Sequence, residues 1–213
     1  MSRPAPQSLT RRRILDAARD VVEHEGLDGL SMRKVATYAG SKVMSLYRHI
    51  EDKDDLLDAL VDEIYVELAG PPPDMPWRPA LRSMAMNERD ALVRNPWACA
   101  LLATRFPGPA RRRHMDALLR VLATAGLPEH LADLGYHALT VHIHGFALQQ
   151  IGYEGAAEQW SDDARAYLDA TPADETPYLV AHFRYHAQHG QENDDFTFVL
   201  DLILDGLERA ATR

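Results

Sequence analysis

The stretch from Leu30 to Lys53, LSMRKVATYAGSKVMSLYRHIEDK, constrains this chain most, because it contains two short helical patterns joined by a tight break. Apolar residues recur at helical spacing in the first pattern, at Met32, Val35, Ala36 and Ala39. Gly40 is predicted to end that helix, because glycine adopts the left-handed conformation without steric cost. We expect Ser41 to cap the second helix, whose inner side carries Leu46 and Ile50.

A short helix, a turn that contains glycine and a second helix rich in polar and cationic side chains indicate a helix-turn-helix. In such a unit the second helix enters the major groove of double-stranded DNA, and its first residues meet base edges. A helical hairpin inside an ordinary core has the same spacing, so spacing alone leaves both interpretations open. The outer face of the second helix carries Lys42, Ser45, Tyr47, Arg48 and His49.

The run from Leu30 to Leu60 resembles the DNA-binding domain of the TetR family of bacterial transcriptional regulators, in the segments SMRKVATYAG, SLYRHIEDK and DDLLDALVD. The resemblance implies an all-α fold, with a three-helix helix-turn-helix head at residues 1–54 and a larger helical ligand-binding and dimerisation domain at residues 55–213. It implies operator contacts at Arg33, Ser45, Tyr47 and Lys53. Family members vary at the positions of Lys42, Val43 and Met44 to select their sequence, whereas His49 is predicted to pack or to meet phosphate rather than bases.

Charge is distributed unevenly along the chain. The net charge of −9 argues against a protein that coats nucleic acid non-specifically. Residues 1–53 hold ten basic and seven acidic residues, a net of +3, and the remainder holds thirteen and twenty-five, a net of −12. This pattern suits a protein that contacts phosphate at one end. Arg3 and the cluster Arg11, Arg12 and Arg13 either reach a phosphate or form a solvated helix start.

The remaining bulk features predict a cytoplasmic protein without a membrane span. No run of about 18 apolar residues exists, and the N-terminus lacks the apolar centre of a secretion signal. Cys99 is the one cysteine, which excludes an internal disulfide and fits a reducing compartment. Its Ala- and Leu-rich surroundings favour an inert thiol over a redox switch.

The stretches WRPALRSMAMNERDALVRNPW and LLATRFP resemble the tetracycline-repressor branch of the family. In that branch two helices from each subunit form a four-helix dimer interface, which here implies residues 128–151 and 194–211. A homodimer also places two recognition helices about 34–36 Å apart on a palindromic operator. The helix that begins after Asp52 starts in the head and ends in the body, so its tilt can couple the two. The predicted interface residues are Leu134, Ala138, Gly145, Leu148, Phe198, Leu202 and Leu207.

The resemblance also locates a ligand pocket. Tetracycline repressors hold a drug–magnesium chelate with two His and a Glu, and this chain has Ala69, Leu101 and Gln149 at those positions. Because magnesium needs oxygen ligands, we expect no tetracycline–magnesium site and no cofactor, but a mostly apolar pocket with a few polar anchors. The candidate lining residues, each of which is alternatively ordinary core, are Met84, Asn87, Trp97, Leu101, Arg105, Met115, His144 and Gln149.

These patterns predict a homodimeric repressor released from its operator by a small apolar or amphipathic ligand. A ligand-dependent activator is the alternative, as is a metal-responsive regulator, since His182, His186 and His189 share one helical face. An enzyme is disfavoured, because the chain contains no nucleophile elbow, phosphate-binding glycine loop or metal-hydrolase motif. A purely architectural DNA-binding protein would not need so large a body.

Overall fold

The computed structural model describes residues 8–68, 70–154, 166, 170–171, 176–189 and 193–211, and within them every regular element is a helix. This confirms the all-α prediction. None of the helices in these residues is long and apolar enough to cross a membrane. In chain order the helices are α1 (Arg11–Gly29), α2 (Met32–Tyr38), α3 (Val43–Leu46), α4 (Lys53–Val66), α5 (Trp77–Arg94), α6 (Pro96–Leu102), α7 (Pro109–Thr124), α8 (Glu129–Glu154), α9 (Pro177–His189) and α10 (Asn193–Ala211).

The chain divides into two compact units, and each unit combines two separate segments of the sequence. The head unit contains the described residues up to Gly70 together with Trp97–Ala117, and the body unit contains Pro71–Pro96 and the described residues from Leu118 onwards. By packing, α4, α6 and the first part of α7 therefore belong with the helix-turn-helix. The predicted functional boundary between residues 54 and 55 stays a prediction.

The head unit is held by one apolar core to which α1, α2, α3 and α4 all contribute. The amphipathic spacing of α1 buries Ile14, Ala18 and Val21, and α4 adds Leu56 and Leu60. Gly26 has a φ of 71°, so the chain turns within the span of α1 before Leu30. The side chains of α6 that pack against this core are Trp97 and Leu101.

In the body unit, α8 packs against both α5 and α10. Gly135 allows a close approach, because a Cβ there would lie 2.9 Å from Cδ2 of Leu207 on α10. Arg78 on α5 forms ion pairs with Asp205 and Glu208 of α10. Exposed ion pairs contribute little individually, so the apolar contacts supply most of the stability of this packing.

Candidate nucleic-acid interface and ligand domain

The turn between α2 and α3 is built around Gly40. Its φ is 62°, and the backbone N–H of Ser41 donates to the carbonyl of Ala36 at 2.9 Å, which closes the end of α2. The prediction for Gly40 is confirmed. The prediction that Ser41 caps α3 is wrong, because Lys42 occupies the N-cap position and makes no side-chain capping bond.

The recognition helix α3 buries one side and exposes the other. Leu46 is fully buried and Ile50, just beyond the helix, is 1% exposed, so these two residues anchor the segment in the head core. Met44 is 76% exposed and Tyr47 46% exposed. The remaining predicted contact residues divide between exposed Lys42 and Arg48 and half-buried Val43, Ser45 and His49. The exposed side of this segment therefore carries four of the predicted contact residues, whereas Val43 packs partly against the head core.

The arginine cluster at the start of α1 forms bonds within the head. Arg11 donates to the carbonyl of His49 at 2.7 Å and to Asp55 at 3.0 Å, and so fixes the end of the recognition segment. Arg13 donates to the carbonyl of Ala39 at 3.2 Å. Burial alone would raise the pKa of Asp55, but the hydrogen bonds from Arg11 and the backbone N–H of Glu51 lower it overall. The bonds of Arg11 and Arg13 support a structural role for these two arginines.

The lysine and arginine side chains between α2 and the start of α4, which we call the cations of the recognition face, fall into two groups. Lys34 is paired with Glu25 of α1, so its charge is already balanced. Within the described part of the chain no ion pair engages the other cations of the recognition face, all of which are exposed. They are Arg33, Lys42, Arg48 and Lys53. The second group is therefore available to phosphate, whereas Arg3 lies outside the described residues.

Helix α4 is bonded to the segment that leads into α7, all within the head unit. The carboxylate of Asp62 accepts from the backbone N–H groups of Ala110 at 2.9 Å and Arg111 at 2.8 Å, and therefore caps the first turn of α7. Gly108 is required by this approach, because a Cβ there would lie 2.5 Å from Cγ of Asp62. Arg105 donates to Asp58 at 2.7 Å and also pairs with Asp54.

Asp62→Ala is expected to destabilise the protein by about 1–2 kcal/mol, because two helix N–H groups lose their acceptor. The urea midpoint of the full-length protein measures this change. Asp58→Ala is the matched control, since it removes a half-exposed carboxylate from an ion pair on the same helix and should change stability by less than about 1 kcal/mol. Equal midpoints for the two variants would contradict the capping role of Asp62.

The predicted pocket residues are distributed over both units. In the body unit Met84 is buried, His144 is half-buried, and Asn87 and Gln149 are exposed. The head unit holds the other four: Trp97 and Leu101 against its core, Arg105 against α4, and half-buried Met115. The pocket as a whole stays a prediction. The engagement of Arg105 with Asp54 and Asp58 makes it a weaker candidate for a ligand anchor.

Two buried charged residues of α5 were not predicted from the sequence. Glu88 is 3% exposed and its carboxylate lies 3.3 Å from Nε2 of His144. Arg89 is 6% exposed, and its guanidinium carbon lies 4.7 Å from the ring centroid of Phe196. The sequence signal that could have found them is their position on the buried face of an amphipathic helix, where charged residues are rarely placed without a partner.

The histidines of the body do not form a common cluster in the described residues. His142 stacks on Phe196 with ring centroids 4.6 Å apart, and burial lowers the pKa of its imidazole despite a bond with the Phe196 carbonyl. His182 is exposed on α9, whereas the side chains of His186 and His189 lie outside the described residues. No group of three metal-ligating side chains occurs among the residues that were described. The metal-responsive alternative thus stays untested.

An exposed apolar stripe runs along α8 and α10, and because the sequence predicts a dimer interface on these helices, we call the stripe the dimer face. On α8 it includes Leu134, 59% exposed, and Leu148, 60% exposed, with the exposed small residues Ala138 and Gly145 between them. On α10 it includes Phe198 and Leu202. These are predicted interface residues, and the structure adds Val141, which is 71% exposed. Leu207 differs, because it is half-buried and packs against Gly135 of its own chain.

A helix-turn-helix in one unit and a second helical unit, with only helices among the described residues, are typical of one class of DNA-binding regulators. Comparison with known families identifies the family within that class. Residues 14–60 match "Bacterial regulatory proteins, tetR family", and residues 70–211 match "Tetracyclin repressor-like, C-terminal domain". The chain belongs to the TetR family of bacterial transcriptional regulators. It is therefore a DNA-binding regulator and not an enzyme, as the sequence predicted.

Relatives extend over nearly the whole chain. The HTH-type transcriptional repressor DrrR1 of Streptomyces coeruleorubidus is 32% identical, over 97% of this chain and 80% of its own length. The tetracycline repressor protein class C of Escherichia coli is 28% identical, over 94% and 91%. Among solved structures, the Streptomyces coelicolor TetR family protein ActR in complex with actinorhodin superposes with a TM-score of 0.79 at 29% identity, covering 98% of this chain and all of that one.

Proposed function

We propose that this protein is a homodimeric cytoplasmic repressor that binds a palindromic operator in double-stranded DNA and is released by a small apolar or amphipathic ligand. One observation carries the DNA-binding part. In α3, Leu46 is fully buried while Met44 is 76% exposed, so the helix is anchored on one side and presents its other side to the exterior. A core hairpin would have buried both sides.

We assign base contacts to the first residues of α3 and phosphate contacts to the exposed cations and Tyr47. Val43 and Met44 offer only apolar contacts, such as those with a thymine methyl group, and Ser45 can bond to any base edge. Arg33, Lys53 and Arg48 are placed to meet phosphates, which position the protein without specifying sequence.

The homodimer is supported by the dimer face. Large apolar side chains exposed in a stripe on two packed helices are costly in water, and a second copy would bury them. A two-fold-symmetric dimer buries the same patch on both subunits, and it presents two copies of α3 to successive major grooves.

Ligand release is supported by relatives that are named as repressors and by the ligand complex of ActR. The change in DNA affinity requires a ligand that binds two conformations of the dimer unequally. We propose that α4 conveys this change, because Asp58 and Asp62 on α4 accept hydrogen bonds from the segment of residues 105–111 within the head unit. Movement of that segment would then shift α4 and with it the recognition helix.

Selection of bound sites from random double-stranded DNA with the purified full-length protein tests the proposal. We expect an enriched palindrome whose half-sites lie about one helical turn apart. Enrichment of a single half-site would contradict the dimeric reader. Absence of enrichment with folded protein would contradict sequence-specific binding in the ligand-free state.

Met44→Ala is expected to change base preference more than overall affinity, because Met44 can contribute an apolar base contact but no phosphate bond. The same selection experiment, repeated with the variant, measures this change. Discrimination at one position of each half-site should fall by about 1–2 kcal/mol. Tyr38→Ala is a control, since Tyr38 is also exposed but lies on α2. An unchanged selection profile for Met44→Ala would remove Met44 from the reading face.

A further inference from the structure

The recognition helix α3 is short and depends on its neighbours for its orientation. It spans Val43–Leu46, and a helix of four residues makes few internal hydrogen bonds. Leu46 and Ile50 anchor one side of the segment in the head core. Apolar contacts are non-directional, so they keep this side buried without fixing how the helix is rotated. Hydrogen bonds at the two ends of the segment can supply that direction.

Two arginines of α1 form such bonds, one on each side of α3. Nη2 of Arg13 donates to the carbonyl of Ala39, at the end of α2, at 3.2 Å. Nη1 of Arg11 donates to the carbonyl of His49, beyond the end of α3, at 2.7 Å. Carbonyls at the ends of helical segments lack intrahelical partners, and a guanidinium is a favourable donor to them. The first turn of α1 thus holds the recognition segment at both ends.

Arg11 is itself held in place by Asp55 on α4. Nη2 of Arg11 donates to Oδ1 of Asp55 at 3.0 Å, and Oδ2 of the same carboxylate accepts from the backbone N–H of Glu51 at 2.9 Å. The side chain of Asp55 is 29% exposed, so the pair is screened less than a fully exposed ion pair. One carboxylate therefore links Arg11 to the backbone that follows α3.

Contact with a DNA phosphate is the other role open to Arg11, because its side chain is 47% exposed. A phosphate contact strengthens binding to every sequence and increases its dependence on salt. A bond that orients α3 affects contacts with base edges, so it changes binding to the operator and not binding to DNA in general. The geometry favours orientation, because Asp55 balances the charge of Arg11 and two guanidinium nitrogens already donate to acceptors within the head unit.

We propose that Arg11 and Asp55 form a positioning pair that orients α3 for sequence readout without contacting DNA. Arg11 acts through the carbonyl of His49, and Asp55 acts through Arg11. This inference rests on the proposed function, since it names residues that determine how well the operator is distinguished from other DNA.

Arg11→Met and Asp55→Ala test the pair in the full-length protein, with a library of random-sequence DNA duplexes as the probe. Retention of the whole library measures non-specific binding, and sequencing measures the enrichment of the site that the wild type prefers. Enrichment should fall about tenfold for each half-site in both variants, as for the loss of one base contact. Retention and its salt slope should change little in Arg11→Met. In Asp55→Ala retention should not fall, because removal of a negative charge favours DNA binding by electrostatics alone.

Arg12→Met and Asp16→Ala are the matched controls. These neighbours on α1 pair with each other at 2.9 Å, and in the described part of the chain neither of them bonds to the recognition segment. Each control makes the same change of charge as the corresponding test variant. Both controls should enrich the preferred site as the wild type does.

Lower retention by Arg11→Met with wild-type enrichment would assign Arg11 to phosphate and overturn the proposal. Wild-type enrichment by Asp55→Ala would overturn it as well. Enrichment and retention that fall together would indicate only a smaller folded fraction, which also contradicts positioning. If melting shows that Arg11→Met is unfolded, Arg11→Lys keeps the charge without the forked donor, and a selective loss of enrichment is still expected. A wild type that retains the library but enriches no site would instead show that the proposed function has failed, and the positioning proposal with it.

Discussion

Leu202→Glu is expected to convert the protein into monomers and to remove tight binding to a palindromic operator. Leu202 is 53% exposed on the dimer face, and in a homodimer its side chain would meet the partner copy. Two glutamates at a two-fold interface would lose hydration and repel each other, which costs more than loss of the apolar contact alone. Because a monomer engages one half-site, operator affinity should fall by roughly 10³-fold or more, toward non-specific binding.

Light scattering measures the molar mass and a gel-shift titration measures the operator affinity. Leu179→Glu is the matched control, since it places the same charge at an exposed leucine of α9, outside the dimer face. This variant should remain dimeric and bind the operator normally. A dimeric Leu202→Glu protein with normal affinity would move the interface to another surface. A monomer that retained full affinity would disprove the need for two recognition helices.

Local sequence patterns predicted the head well. The spacing of apolar residues identified Leu46 and Ile50 as buried, and Gly40 was identified because its turn needs a left-handed backbone. The capping prediction for Ser41 is wrong by one residue, because the N-cap of α3 is Lys42. Helix ends shift by a residue or two with the local backbone conformation, so the spacing of apolar residues does not determine which residue caps the first turn.

Long-range partners explain what the sequence did not reveal. Arg11 bonds to His49 and Asp55, which lie 38 and 44 residues away, and Arg105 bonds to Asp58, 47 residues away. No periodicity within one helix specifies such partners. The buried charges Glu88 and Arg89 were missed for a related reason: charged residues on a helix are normally assigned to its solvated face.

Lys53→Ala is expected to weaken operator binding and to reduce its dependence on salt. Lys53 is exposed at the first position of α4 and has no ion pair in the described part of the chain. A lysine at a helix N-terminus is unfavourable beside the helix dipole, and alanine has the better helix propensity, so the variant should fold at least as stably as the wild type. Any loss of DNA binding is then a loss of contact.

Each neutralised phosphate contributes about 0.9 to the magnitude of the slope of log affinity against log salt. A dimer that loses two such contacts should therefore show a slope smaller in magnitude by ~1.8. Affinity at low salt should fall roughly tenfold for each half-site, about 1.4 kcal/mol. Lys34→Ala is the control, because Lys34 is paired with Glu25 and should leave the slope unchanged. If Lys53→Ala binds more weakly but keeps the wild-type salt slope, Lys53 positions α4 rather than contacting phosphate. If both the slope and the affinity of the variant equal those of the wild type, Lys53 is not part of the DNA interface.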